Sequence, residues 1–322
     1  MTTVLPTSST QEGHRACLVT RDRKLTKAVV RTLVPQSIMV DHFNDLAVDN
    51  IDLSEYSFIL VDGDQANLEK IQSNLAAAGA DQRRVIVFSR SREKEHVAQL
   101  LGQQNLTNFI AMNGGIREEE LLITMNKLKT GNFFGLVQYL TRGTTPVQKI
   151  LHSPQERGPA LSELCTFLAN CLVSSRFVEL ARCAADELLM NALGRASAAA
   201  SAQTASSTDT IHPVEFQYAC DGRLVGVSVS DSYGSLTGER LLTFLERCFR
   251  MEEYSIPTDT SGAGLGLYVA LNSADQFVVN IAQGVRTEVI CLLDIRGHLR
   301  DFEGRSKSFH MFITENESCL TT

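Results

Sequence analysis

The sequence predicts an α/β protein built as two units, and three observations carry that reading. Short apolar runs alternate with amphipathic helical stretches through residues 15–130. A stretch rich in Gly, Pro and polar residues interrupts the pattern over 131–160. Helices and then a set of strands resume over 161–314. A chain of 322 residues with 43% hydrophobic content is enough for two domains of ordinary size.

The elements follow in order. Residues 1–14 read as a disordered N-terminus. "RACLVT", "YSFILVD", "RRVIVFS" and "NFIAM" are short apolar strands. Between and after them stand the helical "KLTKAVVRTLV", "ANLEKIQSNLAAAGA", "REKEHVAQLLGQ" and "REEELLITMNKLKTG". Strands of this length alternating with helices predict a parallel sheet covered on both faces. "RGTTPVQ" and "HSPQERGP" mark a domain connection over 131–160.

In the second unit, Leu161, Leu164, Cys165, Leu168 and Leu172 recur at helical spacing. The stripe serves either the domain's own core or a homodimer contact. The helix "RFVELARCAADELLMNALG" follows, and the low-complexity "RASAAASAQTASSTDT" reads as a mobile insertion over 195–210. Strands "VEFQYA" and "LVGVSVS", the helix "GERLLTFLERCF" and a hairpin of "QFVVNIAQ" and "RTEVICLLD" come next. "FHMFI" adds a last strand before a disordered tail at 315–322.

Bulk properties narrow the function. A net charge of −7 argues against general nucleic-acid binding. The start "MTTVLPTSST" lacks the features of a signal peptide, and no apolar run is long enough to span a bilayer. The eight cysteines form no CxxC pair and have no histidine at metal spacing. Cys17 and Cys291 sit in apolar strands. Reduced structural cysteines in a cytoplasmic protein are the expectation. His96, His152, His212, His298 and His310 read as lone surface residues, none followed by an acidic residue.

The segment "TDTSGAGLGLYVA" sets Gly262, Gly264 and Gly266 at the start of a helical run. The polar "EEYSIPTDTS" before it excludes a dinucleotide fingerprint, and without GK[ST] there is no P-loop. Either the glycines open a helix N-terminus to a phosphate chain, or they let the helix pack closely. In "ADELLMNAL", Glu187 and Asn191 lie four apart, on one side of a helix at the edge of an apolar stripe. An amide there can ligate Mg²⁺, and a carboxylate can orient a water or take a proton. Asp231, at the end of the strand in "VSVSDSYG", can accept a hydrogen bond from adenine's exocyclic amine.

Together these segments resemble the GHKL ATP-binding domain of sensor histidine kinases and anti-sigma-factor serine kinases. "ELLMNAL" looks like the N box, "DSYGSL" the first glycine box and "GAGLGL" the second. The resemblance covers about half the chain and implies a mixed sheet with helices on one face. It makes Glu187 the general base and Asn191 the Mg²⁺ ligand. Asp231 and Gly234 then serve the adenine end, with Gly262, Gly264 and Gly266 bounding a phosphate-covering lid over 237–261. The first glycine box departs from the family's Asp-x-Gly-x-Gly, reading Asp231-Ser232-Tyr233-Gly234-Ser235.

The first unit resembles a response-regulator receiver domain, which implies a flavodoxin-like sheet. Asp62, closing "FILVD", stands where the family carries its phosphoryl acceptor, and Ser89 where a hydroxyl meets the phosphoryl group. Asp22 is the one carboxylate left after the first strand to share Mg²⁺ with Asp62, since Thr20 and Arg21 fill the neighbouring places. The expected Lys is Met112 or Asn113, while Arg21 offers positive charge and Asp64 a further carboxylate. These losses favour a pseudo-receiver acting by protein contact over a phosphorylated one.

Two functions follow from the resemblances. One is a Mg-ATP-dependent regulator that phosphorylates or sequesters another signalling protein (a kinase, a response regulator or a sigma-factor-pathway component). The other is a non-catalytic adaptor of two degenerate modules. Neither involves nucleic acid or a membrane.

Overall fold

A computed structural model describes residues 14–44, 52–65, 68–77, 81–93, 96–99, 106–203, 213–250, 263–296, 302 and 304–314. It is a mixed α/β protein around one continuous 11-stranded sheet, ordered β2-β1-β3-β4-β5-β11-β9-β10-β8-β7-β6. The first five strands are β1 (Arg15–Val19), β2 (Met39–Phe43), β3 (Phe58–Asp62), β4 (Val85–Ser89) and β5 (Asn108–Ala111), all parallel. The remaining strands are β6 (Val147–Leu151), β7 (Val214–Cys220), β8 (Leu224–Asp231), β9 (Gln276–Ala282), β10 (Arg286–Asp294) and β11 (Ser308–Thr314).

Every residue of β3 is buried, as a strand covered on both faces requires. Phe58 and Leu60 join Leu25, Val29 and Leu33 of α1 (Arg23–Leu33) in one core. Leu121 and Met125 of the later helix Glu118–Thr130 belong to the same core. Ile59 and Val61 face the opposite core. Helix α2 (Leu68–Ala77) follows β3, and Glu118–Thr130 is α3. Asp22 starts α1 by accepting the Lys24 N–H at 2.7 Å, an N-cap that fixes where the β1–α1 turn ends.

In the second half, α4 (Arg157–Asn170), α5 (Ser175–Gln203), α6 (Gly238–Arg250) and α7 (Ala263–Asn272) pack in one layer. Phe216, Val227, Val279 and Cys291 point into that layer. On the other face, Leu136, Tyr139, Ala219, Val278, Ile290, Leu292 and Phe312 form a smaller core, closed by the 131–140 segment and Ile123 and Leu128 of α3. Burial pushes the Cys17 thiol up to about 12 and raises that of Cys291, in keeping with inert core thiols.

Three expectations shift. The stretch 131–160 is more than a connection: it carries β6, which pairs with β7, and it buries Leu136 and Tyr139. The segment expected to be a mobile insertion at 195–210 continues α5 as far as Gln203, which its alanine content favours; residues 204–212 lie outside the described residues. Leu161, Leu164 and Leu168 are spent on the chain's own core, leaving Leu172 exposed, so the stripe offers no continuous dimer surface.

The two halves meet along β11, which runs parallel to β9 and antiparallel to β5. The seam is polar inside. His310, far from being a surface residue, is buried between Glu120 (2.9 Å) and Asn108 (3.2 Å). Lys127 is fully buried, donates to the Phe133 carbonyl and lies over the rings of Tyr139 and Phe312. Nearby, Glu288 accepts from Ser228, Asn280 and the Gly135 N–H.

Burial lowers the Lys127 ammonium from 10.5 to about 7, against the opposing pull of Glu288. Below about pH 7 the folded protein bears the full cost of a buried cation. Between about 7 and 10.5 the unfolded chain holds the extra proton, so stability rises with pH. Denaturant unfolding across this window is expected to show a rise in the wild type that is smaller in Lys127→Met, the remainder coming from Lys307, whose ammonium burial lowers to about 8. No helix among the described residues is long and apolar enough to cross a membrane.

Candidate functional site

Two clusters of polar residues stand on this frame. The first joins α5 and α7. Apolar residues Phe177, Ala181, Ala184 and Leu188 bury one side of α5, and Glu187 and Asn191 emerge at its margin, one turn apart. The backbone of α7 approaches them closely at Gly266. A Cβ there would lie 2.5 Å from Glu187 Oε2 and 2.9 Å from Asn191 Nδ2. The bare glycine backbone thus lets α7 pass within contact of the two polar side chains, whose ends would have to move for any larger residue.

Asn191 is buried, and its Nδ2 has no hydrogen-bond partner among the described residues. An unsatisfied buried amide costs stability unless a ligand completes it. Which amide atom faces the gap is interchangeable by a flip of the side chain, so the site offers a donor or an acceptor. Burial raises the Glu187 carboxyl above its usual range, Asp186 adds to the rise, and Arg157 opposes it. A raised carboxyl is a stronger base near neutral pH. Arg157 is itself 3.3 Å from Asp186, which balances the charge beside Glu187.

The strand β8, over which α5 packs, carries the adjoining residues. Asp231 ends it, is buried, and accepts the Tyr233 N–H at 3.1 Å. Gly234 follows with φ of 55°, its carbonyl accepting the Gly284 N–H from the β9–β10 turn at 3.0 Å. Of the three glycines in the later segment, Gly264 and Gly266 lie in α7, while Gly262 is outside the described residues. The expected lid over 237–261 is helix from Gly238 to Arg250. That helix docks on its neighbours through the edge-on rings of Phe249 and Tyr268; residues 251–262 lie outside the described residues.

The second cluster lies at the C-terminal ends of β1, β3 and β4. Asp62 is fully buried; its Oδ2 accepts the Thr20 hydroxyl at 2.8 Å and its Oδ1 the Asp64 N–H at 3.3 Å. Arg90 reaches into the group. It pairs with Asp22, stands 3.3 Å from Asp64 and lies 3.6 Å from Asp62 Oδ1. Ser89 donates to Asp64 at 2.5 Å rather than facing an open pocket.

Arg90 brings this group a cation that was not foreseen, while Arg21 is exposed and gives its main-chain N–H to Gln65. Asp64 does lend its carboxylate, as the sequence suggested. Among the described residues, no group of three or more His, Cys, Asp and Glu side chains is arranged to hold a metal ion. For Asp22 and Asp62, the proposed Mg²⁺ partners, the guanidinium is the positive charge at hand.

Asn113, at the place expected of a Lys, exchanges two 2.9 Å hydrogen bonds with the Ser306 backbone, and Ser306 Oγ donates to the Ser91 carbonyl at 3.0 Å. The loops around Asp62 are thus tied to the segment leading into β11. Arg90 and Ser306 escaped the sequence reading. Arg90 alone left a signal, a cation directly after the strand that ends in Ser89.

A cavity of about 520 Å³ bounded by Tyr56, Arg84, Leu128 and Met311 lies at the opposite end of β3 from Asp62, and none of these site residues lines it. In comparisons with known proteins, no family model and no curated sequence matches the chain.

Proposed function

We propose that the protein is a signal-transduction regulator that binds Mg-ATP between α5 and α7 through a GHKL-type domain. In this reading it phosphorylates or sequesters a partner protein under the control of a receiver-like first half. The observation that carries the reading is the approach of Gly266 to Glu187 and the unsatisfied Asn191. Three residues foreseen from two separate stretches of chain meet there. The donor set fits the group: a buried amide for a hard cation, a basic carboxylate one turn away, and a helix N-terminus for phosphate.

Mg-ATP, when bound, supplies a transferable phosphoryl group. Asn191 Oδ1 would hold the cation. Glu187 would accept a proton from the attacking hydroxyl or water. The N–H groups of the first turn of α7 carry the phosphate charge, and Asp231 accepts from the exocyclic amine of adenine. Guanine presents a carbonyl where adenine presents that amine. Asp231→Ala is therefore expected to weaken ATP binding about tenfold or more and to erase preference for ATP over GTP. Competition binding with the two nucleotides checks it; an unchanged ratio contradicts the role given to Asp231.

The parallel order β2-β1-β3-β4-β5 supports a receiver-like first half, since it is the flavodoxin-like order of such domains. Arg90 favours a second reading for this half, a pseudo-receiver that works by contact. Both Asp62 oxygens are already engaged, and a guanidinium already stands among the three carboxylates. Incubation with acetyl phosphate and Mg²⁺ is expected to leave the intact mass unchanged. A phosphorylated Asp62 peptide would reinstate a phosphorylated receiver.

A further inference from the structure

Cys171 follows directly on α4 and Cys220 ends β7. One helical turn before Cys171, Phe167 meets Tyr218 edge-on, with ring centroids 5.2 Å apart. Phe167 and Cys171 share a helix face, and Tyr218 and Cys220 share a strand face. The ring contact therefore sets the end of the helix over the end of the strand. There the Cys171 side chain interacts with that of Cys220 and helps to raise its thiol. Cys171 is exposed and Cys220 half-buried, whereas Cys17, Cys248 and Cys291 are buried and Cys165 and Cys183 lie along the helices.

We propose that Cys171 and Cys220 are a redox modification site, closing to an intramolecular disulfide under a peroxide or disulfide oxidant and reopening with a thiol reductant. With hydrogen peroxide, the Cys171 sulfur attacks one peroxide oxygen, the O–O bond breaks, and a sulfenic acid and water result. The Cys220 sulfur then attacks the sulfenic sulfur, the S–O bond breaks, and the thiol proton leaves with the hydroxyl as a second water. Two thiols lose two electrons and two protons, and one peroxide is reduced to two waters. Burial first, with Cys171 adding to it and a Gly222 backbone hydrogen bond opposing, raises the Cys220 thiol. That suits Cys220 to the resolving role and leaves the exposed Cys171 to meet the oxidant.

The closed loop runs from 171 to 220 and encloses all of α5, including Glu187 and Asn191. Cross-linking a loop of this length stabilises the folded chain chiefly by restricting the unfolded one. The test is treatment of the full chain with hydrogen peroxide or glutathione disulfide, blocking with iodoacetamide, and peptide mapping by mass spectrometry. A peptide joining Cys171 to Cys220, lost on reduction, is expected, together with a Tm several degrees higher in the oxidised chain. Both effects should vanish in Cys171→Ser and in Cys220→Ser. Full alkylation of both thiols after oxidation overturns the proposal, as does pairing of Cys171 with any other cysteine, Cys319 included.

Discussion

Gly234→Ala is expected to lower stability by about 3 kcal/mol, the sum of a left-handed backbone forced on alanine and an overpacked turn. The residue has φ of 55°. Its missing Cβ would lie 2.4 Å from the Val285 nitrogen, 2.5 Å from the Ala282 oxygen and 2.6 Å from the Gly284 nitrogen. All three are backbone atoms of the β9–β10 turn, so no side chain can swing aside to relieve them. The midpoint of urea unfolding, followed by circular dichroism, should fall well below that of the wild type. A midpoint within error of the wild type would mean that the β8 turn does not hold its place against the hairpin.

Gly266→Ala is expected to behave in the opposite way, with little loss of stability and a large loss of function. Its close neighbours are the ends of the Glu187 and Asn191 side chains, which can move. Alanine also favours the helix by up to about 1 kcal/mol relative to glycine. The methyl group pushes aside the two groups proposed to hold the cation and the proton. Affinity for Mg-ATP should drop about a hundredfold, near 2.7 kcal/mol, while the unfolding midpoint stays close to the wild type. A variant that binds Mg-ATP normally would show that the α5–α7 contact is packing alone.

The contrast between these glycines shows what was legible in the sequence. Gly266 was visible because it opens an apolar helix beside two other glycines, and Glu187 and Asn191 because four-residue spacing puts them on one helix face. Strands β3 and β4 were visible as unbroken apolar runs, as strands buried on both faces must be. Edge strand β6 was not: its "VQKIL" alternates between exposed and sheltered residues inside a polar stretch and resembles a loop. The helical part of 195–210 was hidden because an alanine-rich helix with no apolar stripe has no periodicity to read.

Pairings between distant residues were the least accessible. His310 looked isolated because Glu120 and Asn108, its partners, are 190 and 202 residues away in the chain. Arg90 reaches Asp22 across 68 residues, so its place directly after β4 hinted at a cation but not at the carboxylates it would meet. Asn113 looked like a lost lysine, yet its amide extends the seam between the halves by pairing with Ser306. Local patterns carry helices, strands and the residues they align; the electrostatic partners come from the fold.

Glu187, Asn191 and Gly266 are proposed to build a nucleotide site. Titration calorimetry of the wild type and Asn191→Ala with Mg-ATP tests it most directly. The expected result is micromolar binding by the wild type and its loss in the variant, with both proteins folded. Absence of heat from the wild type up to millimolar Mg-ATP, or equal binding by Asn191→Ala, would contradict it.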